Sequence, residues 1–183
     1  MNTTLDPAHS AVLLVDWQAR LCPAMPPAIV EANARNASHF LTLAGRLGMP
    51  VITSEQYPKG LGPTIEPLAA LLDGPAHPKT MFSAMADEAI AAAVRATGRR
   101  SWIVLGMETH ICVFQTVRGL VDAGFDVHVP RDAVVSRSKG NWRNGLQLIG
   151  AAGGLVTNTE AALFDLLGEA RGEDFKLVSR LIR

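Results

Sequence analysis

Leu105-Gly106-Met107-Glu108-Thr109-His110-Ile111-Cys112-Val113 is the stretch that decides the fold. It continues Trp102-Ile103-Val104-Leu105, a short apolar run of the kind that forms a strand buried on both faces. It leads into a segment where Val113, Phe114, Val117, Leu120 and Val121 recur at helical spacing. The spacing predicts a helix over 109–123 with Thr109 as its N-cap. Cys112 would then sit in the first turn, where free N–H groups and the positive end of the helix dipole favour an anion. A thiol so placed is expected to ionise more easily than a free one. The competing reading is that Cys112 is a small buried hydrophobe.

Working outward, Ala11-Val12-Leu13-Leu14-Val15 is a second buried apolar run, ending at Asp16. Residues 17–27 hold three prolines and read as a loop, followed by a helix over 28–47 with Gly48 at its C-cap. Val51-Ile52-Thr53 predicts another strand, and residues 54–63 are too rich in Pro and Gly for regular structure. A short helix over 64–72 and an extended approach through His77-Pro78 to Lys79 come next, then a helix over 86–96. Beyond the central stretch, strands are predicted at 125–129 and 155–157. Helices are predicted over 142–152 and 160–167, with a helix or arm over 175–182; 132–134 begins a loop. Strands alternating with helices predict one α/β domain over 1–183, a three-layer Rossmann-like fold with a mostly parallel central sheet covered on both faces.

Composition narrows the function. Hydrophobic residues make up 48% of the 183 and charged residues 19%, an ordinary globular balance. Lys plus Arg and Asp plus Glu number 17 each, so nothing electrostatic favours nucleic acid or a membrane surface, and a small-molecule substrate becomes the expectation. No apolar run is long enough to span a bilayer. With only Cys22 and Cys112 and no leader-like segment, both are read as reduced thiols of a cytoplasmic protein.

In parallel sheets the ligand binds outside the carboxyl ends of the strands. Asp16 and Cys112 fall at such ends, and the loop carrying Lys79 can reach the same edge. A Cys attacking a carbonyl must be a thiolate, and the leaving group then needs a proton. Asp16 can take the thiol proton and pass it on, as base and then acid. Lys79 can hold the charged forms, and backbone N–H groups around Cys112 can bind the oxyanion.

Val15-Asp16-Trp17-Gln18, Lys79-Thr80-Met81-Phe82-Ser83 and Gly106 through Val113 stand in the order and setting of the isochorismatase-like cysteine hydrolases, which this sequence resembles over nearly its whole length. Ser54-Glu55-Gln56-Tyr57-Pro58-Lys59-Gly60-Leu61-Gly62-Pro63-Thr64 resembles the branch called isochorismatase domain-containing proteins. The resemblance implies that Asp16, Lys79 and Cys112 are the triad. It also implies a cis peptide between Met107 and Glu108, with the Glu108 and Cys112 amides forming the oxyanion hole, and a homo-oligomer. Nicotinamidases of the family hold a metal through an Asp-x-His pair after the second strand. The matching Ser54-Glu55-Gln56-Tyr57 contains no His, so neither that metal nor any other cofactor is expected.

Around the triad, Trp17, Gln18, Glu55, Tyr57, Phe82 and His110 are candidate substrate-binding residues, with Trp142 a further candidate pocket wall. Core packing accounts for the aromatic residues about as well, and a solvated loop for Glu55. His77 reads as a loop histidine and Cys22 as a bystander. The expected activity is hydrolysis of an amide-like C–N bond through a thioester on Cys112. The alternatives are an idle binding or scaffold protein that keeps the fold, or hydrolysis of a vinyl ether such as isochorismate, for which the resemblance implies that the Cys can be dispensable.

Overall fold

The computed structural model describes residues 2–183. Seven parallel strands form one sheet: β1 (Ser10–Val15), β2 (Val51–Gln56), β3 (His77–Lys79), β4 (Ser101–Met107), β5 (Asp126–Pro130), β6 (Val134–Val135) and β7 (Leu155–Thr157). Their spatial order is β3-β2-β1-β4-β5-β7, with β6 paired to the end of β4. The chain proceeds from β1 to β2 and β3 on one side and from β4 to β5 and β7 on the other. The boundary between β1 and β4 is therefore the point where the winding reverses, the place where parallel sheets open a ligand crevice.

The helices are α1 (Pro27–Leu47), α2 (Pro58–Leu61), α3 (Glu66–Ala69), α4 (Glu88–Ala96), α5 (Phe114–Asp122), α6 (Lys139–Ala151), α7 (Thr159–Leu167) and α8 (Gly172–Leu181). Alternation along the central strands divides them between two faces. Val12, Leu14, Ile103 and Leu105 meet Phe40, Leu43, Leu163, Leu166 and Val178 of α1, α7 and α8. Ala11, Leu13, Val15, Trp102 and Val104 meet Ile90, Val94, Val117, Leu120 and Ile149 of α4, α5 and α6. β1 and β4 are buried along their whole lengths, which is why both read as unbroken apolar runs. The three-layer α/β fold is thus as the sequence predicts, and Gly48 ends α1 in the left-handed conformation.

Several local expectations are corrected. β2 continues through Ser54, Glu55 and Gln56 rather than giving way to a loop after Thr53, because β3 pairs with those three residues. β3 itself tolerates Pro78 because it lies at the sheet edge, where a missing N–H breaks no ladder. The helix expected over 64–72 shortens to the four residues of α3, whose one buried side chain is Leu68. Val134–Val135, read as loop, pairs with Gly106 and Met107.

The largest correction concerns the helix before α5. Residues Thr109–Val113 form a π turn, with the Val113 N–H donating to the Glu108 carbonyl at 3.2 Å. The N-cap position is Glu108 rather than Thr109, whose Oγ1 is buried without a hydrogen-bond partner. Packing explains this. Gly145 brings α6 so close that a Cβ there would lie 2.8 Å from the His110 nitrogen and the Thr109 carbonyl carbon, so Thr109 is enclosed and unavailable as a cap.

Candidate active site

Two glycine-scale details bring the ends of β1 and β4 together. Gly106 has φ 141°, and a Cβ there would lie 2.1 Å from the Val15 carbonyl oxygen, so only glycine lets the strands approach this closely. Immediately after Val15, Asp16 takes the left-handed conformation with φ 55°, unusual for a residue with a Cβ and typical of functional positions. The Asp16 N–H still donates to the Ser54 carbonyl at 3.1 Å, and its own carbonyl accepts from the Gln18 N–H at 2.9 Å. Its carboxylate is thereby fixed at the strand end.

The structure brings Asp16, Lys79 and Cys112 together. Lys79 Nζ donates to Asp16 Oδ2 at 2.6 Å, and both side chains are fully buried. Ser54 Oγ donates to Asp16 Oδ1 at 2.8 Å, and the Cys112 thiol is near enough for the two groups to shift one another's ionisation. Lys79 Nζ also donates to Gln56 Oε1 at 2.7 Å and to the Phe82 carbonyl at 3.3 Å, so its three protons are all committed. Gln56 Nε2 donates to the Thr80 carbonyl at 2.8 Å, which fixes the amide with its oxygen towards the lysine.

Electrostatics departs from the sequence expectation. Burial pushes the Cys112 thiol up to about 12, and the Asp16 charge pushes in the same direction while Lys79 opposes. The resting group is a neutral thiol rather than a readily ionised one, because desolvation at this buried position outweighs the pull of Lys79. Burial also raises Asp16 above the ordinary carboxylate range, against the pull of Lys79, Ser54 and Cys112. A carboxylate made more basic, in contact with a thiol it can deprotonate, is arranged for proton transfer coupled to attack.

The Met107–Glu108 peptide is cis. The Glu108 side chain is buried and turns to Arg137, which donates to it four times: N to Oε2 at 3.0 Å, Nε to Oε1 and to Oε2 at 3.1 Å each, and Nη2 to Oε1 at 2.7 Å. Burial would raise the Glu108 carboxyl, but Arg137 holds it below the usual range. His110 Nδ1 lies 3.1 Å from Ser136 Oγ, and burial lowers its basicity. Its Nδ1 is thus engaged by Ser136 on the loop after β6, and the carboxylate in hydrogen-bond contact with Lys79 at the site is Asp16.

The remaining candidates separate. Trp17 is fully buried in the core beneath α1 and is not a pocket wall. Gln18 is also fully buried; its Nε2 donates to the carbonyls of Gln56 at 3.0 Å and Gly62 at 2.7 Å, and its Oε1 accepts from the Gln56 N–H at 2.8 Å. It staples the loop together, with its amide already committed to backbone groups. Glu55 is likewise occupied, accepting from Thr64 N–H and Oγ1. Tyr57 and Phe82 are more than half exposed. Tyr57, Pro58, Pro78 and Thr80 line a cavity of about 350 Å³ that reaches Lys79. Trp142 lines a different cavity, of about 520 Å³, with Pro26, Ile29 and Val135; none of the three triad residues forms its wall. Both cysteines are free, and among the described residues no cluster of His, Cys, Asp or Glu could hold a metal ion.

Sequence reasoning missed Ser54, Gln56, Ser136 and Arg137. Ser54 and Gln56 stand two apart on β2 and so face the same side; extending β2 by three residues would have found them. No local signal marks Arg137, which follows a strand of two residues.

Residues 10–161 match the family model described as the isochorismatase domain. An isochorismatase domain-containing protein 1 from Danio rerio is 35% identical over 98% of this chain, which spans 62% of that relative's length. Among solved structures, one described as the MAR1 ribonuclease of Caenorhabditis elegans superposes with a TM-score of 0.90 at 31% identity, covering 98% of this chain and 92% of that one. The YcaC gene product of Escherichia coli, described as an octameric hydrolase of unknown specificity, has a TM-score of 0.89 at 26% identity, covering 100% of this chain and 90% of the other. Among the described residues, no helix is long and apolar enough to cross a membrane.

Proposed function

The chain belongs to the isochorismatase family, and from that premise we propose that it is a cysteine hydrolase that cleaves an amide-like C–N bond of a small molecule. The observation that carries the reading is the buried Asp16 carboxylate, which accepts from Lys79 Nζ at 2.6 Å at the strand ends where Cys112 also lies. In the first step the Cys112 proton moves to Asp16 as Sγ bonds to the carbonyl carbon, and the oxyanion is received by the Glu108 and Cys112 N–H groups. The C–N bond then breaks and the departing amine takes the proton from Asp16. Water, deprotonated by Asp16, attacks the thioester; the C–S bond breaks and Asp16 returns the proton to sulfur. Lys79 keeps its charge throughout and holds Asp16 in place. No metal or cofactor enters these steps.

The substrate class rests on the even balance of charge, which favours a small molecule over a polynucleotide. The same reading makes residues 1–183 one working domain in the cytoplasm, supported by the two free thiols. It also includes self-association, supported by the octamer described for the Escherichia coli relative. Amine release from a panel of small amides, ureides and carbamoyl compounds, measured beside Cys112→Ala, tests the proposal. The expected result is release that the variant loses by on the order of 10⁴-fold. Release that persists in the variant would overturn it.

A further inference from the structure

Glu108 and Arg137 stand outside the triad, yet they bear on it from the far side. Glu108 begins the nucleophile turn, its peptide adjoins Met107, and its charge is one of the influences that raise the Cys112 thiol. A buried carboxylate beside a group that must become a thiolate is a liability unless something cancels it. Arg137 does so with four hydrogen bonds, two of them from one Nε shared between both carboxylate oxygens. The Arg137 side chain remains 59% exposed while that of Glu108 is only 5% exposed, so the pair places the anion inside and its counter-charge at the surface. The neighbouring Ser136–His110 contact ties the same loop to the same turn.

We propose that Arg137 is a positioning residue of this site: its grip on the Glu108 carboxylate cancels that charge beside Cys112 and holds the Glu108 peptide where the oxyanion forms. The inference rests on the cysteine-hydrolase reading for its meaning in catalysis. The charged groups that face Cys112 are Asp16, Lys79 and Glu108, and those that face Glu108 are Arg137 and His110. Burial lowers the basicity of His110, and its influence on Glu108 ranks below that of Arg137, which is the principal counter-charge.

The alkylation rate of Cys112 by iodoacetamide, followed on its own peptide by mass spectrometry between about pH 6 and about pH 9, separates charge from scaffold. Well below its midpoint a thiol reacts about tenfold faster per pH unit, so a midpoint raised by one unit appears as a parallel tenfold drop. Arg137→Ala is expected to lower the rate roughly tenfold at every pH, and Arg137→Lys by less, because the charge stays while the fork geometry is lost. Glu108→Gln combined with Arg137→Ala is expected to recover the wild-type rate within about twofold, since the uncancelled charge has gone. Thermal melting of each variant confirms that folded protein is compared. An unchanged rate in Arg137→Ala would overturn the proposal. So would a double variant as slow as the single one, because a purely structural hold would be lost in both. Alkylation needs no substrate, so failure to hydrolyse any amide would remove the hydrolase reading and leave these rates as the test of Arg137. Unchanged rates beside genuine hydrolysis would do the reverse.

Discussion

On one side of the site Asp16, Ser54, Gln56 and Lys79 form a closed set, carried by the ends of β1, β2 and β3, in which a buried cation and a buried anion meet directly and each has a neutral partner besides. On the other side Cys112, Glu108 and Arg137, carried by β4, the π turn and the segment after β6, place a neutral thiol beside a buried anion whose counter-ion lies at the surface. On the first side the Asp16 and Lys79 side chains are themselves insulated from solvent. The second is coupled to solvent through the exposed Arg137 side chain. On the proposed mechanism the insulated side takes up the proton, and the coupled side sets how readily sulfur gives it up.

Breaking the insulated side should have the largest effect. Lys79→Met leaves Asp16 buried without its cation, a change that costs about 3–5 kcal/mol of stability at neutral pH, measured by urea unfolding. The pH dependence has a definite sign. Without Lys79 the folded Asp16 holds its proton to higher pH, whereas the unfolded carboxyl ionises near the ordinary 3.8. The deficit should therefore shrink towards pH 4 and grow as the pH rises. A deficit independent of pH would mean that the loss lies in packing alone.

A smaller effect sharpens the same comparison. Ser54→Ala removes one neutral donor to Asp16 and should cost about 1–2 kcal/mol, with amine release reduced as well. Smaller again is the acid response of the coupled side. Arg137 holds the Glu108 carboxyl below the ordinary 4.5, so this contribution is complete above that pH and is lost as the pH falls through the lower folded value. Because Arg137 is mostly exposed, the loss should stay under about 1 kcal/mol, and Glu108→Gln should abolish that acid-dependent increment.

The two sides also differ in how far the sequence discloses them. β1 and β4 are buried on both faces, so their apolar runs stand out and mark Asp16 and the approach to Cys112. Lys79 lies on an edge strand of three residues containing Pro78, and β6 has only two residues; neither is long enough to show a period of two. Ser54 and Gln56 look like loop residues because they are polar, yet their side chains turn to Asp16 and Lys79. Thr109 has the chemistry of a cap, but the approach of α6 at Gly145 encloses it, an effect of tertiary packing that no local pattern records. The reversed expectation for the Cys112 thiol has the same origin. Helix-end position is visible in a sequence, whereas depth of burial is not.

The central claim is a covalent thioester on Cys112. Rapid acid quenching of the protein during turnover of an amide from the active panel, followed by peptide mass spectrometry, tests it most directly. The account predicts a mass increase equal to the acyl group, confined to the peptide carrying Cys112 and absent in Cys112→Ala. Turnover with the acyl group found on another residue, or undiminished turnover by Cys112→Ala, would contradict it.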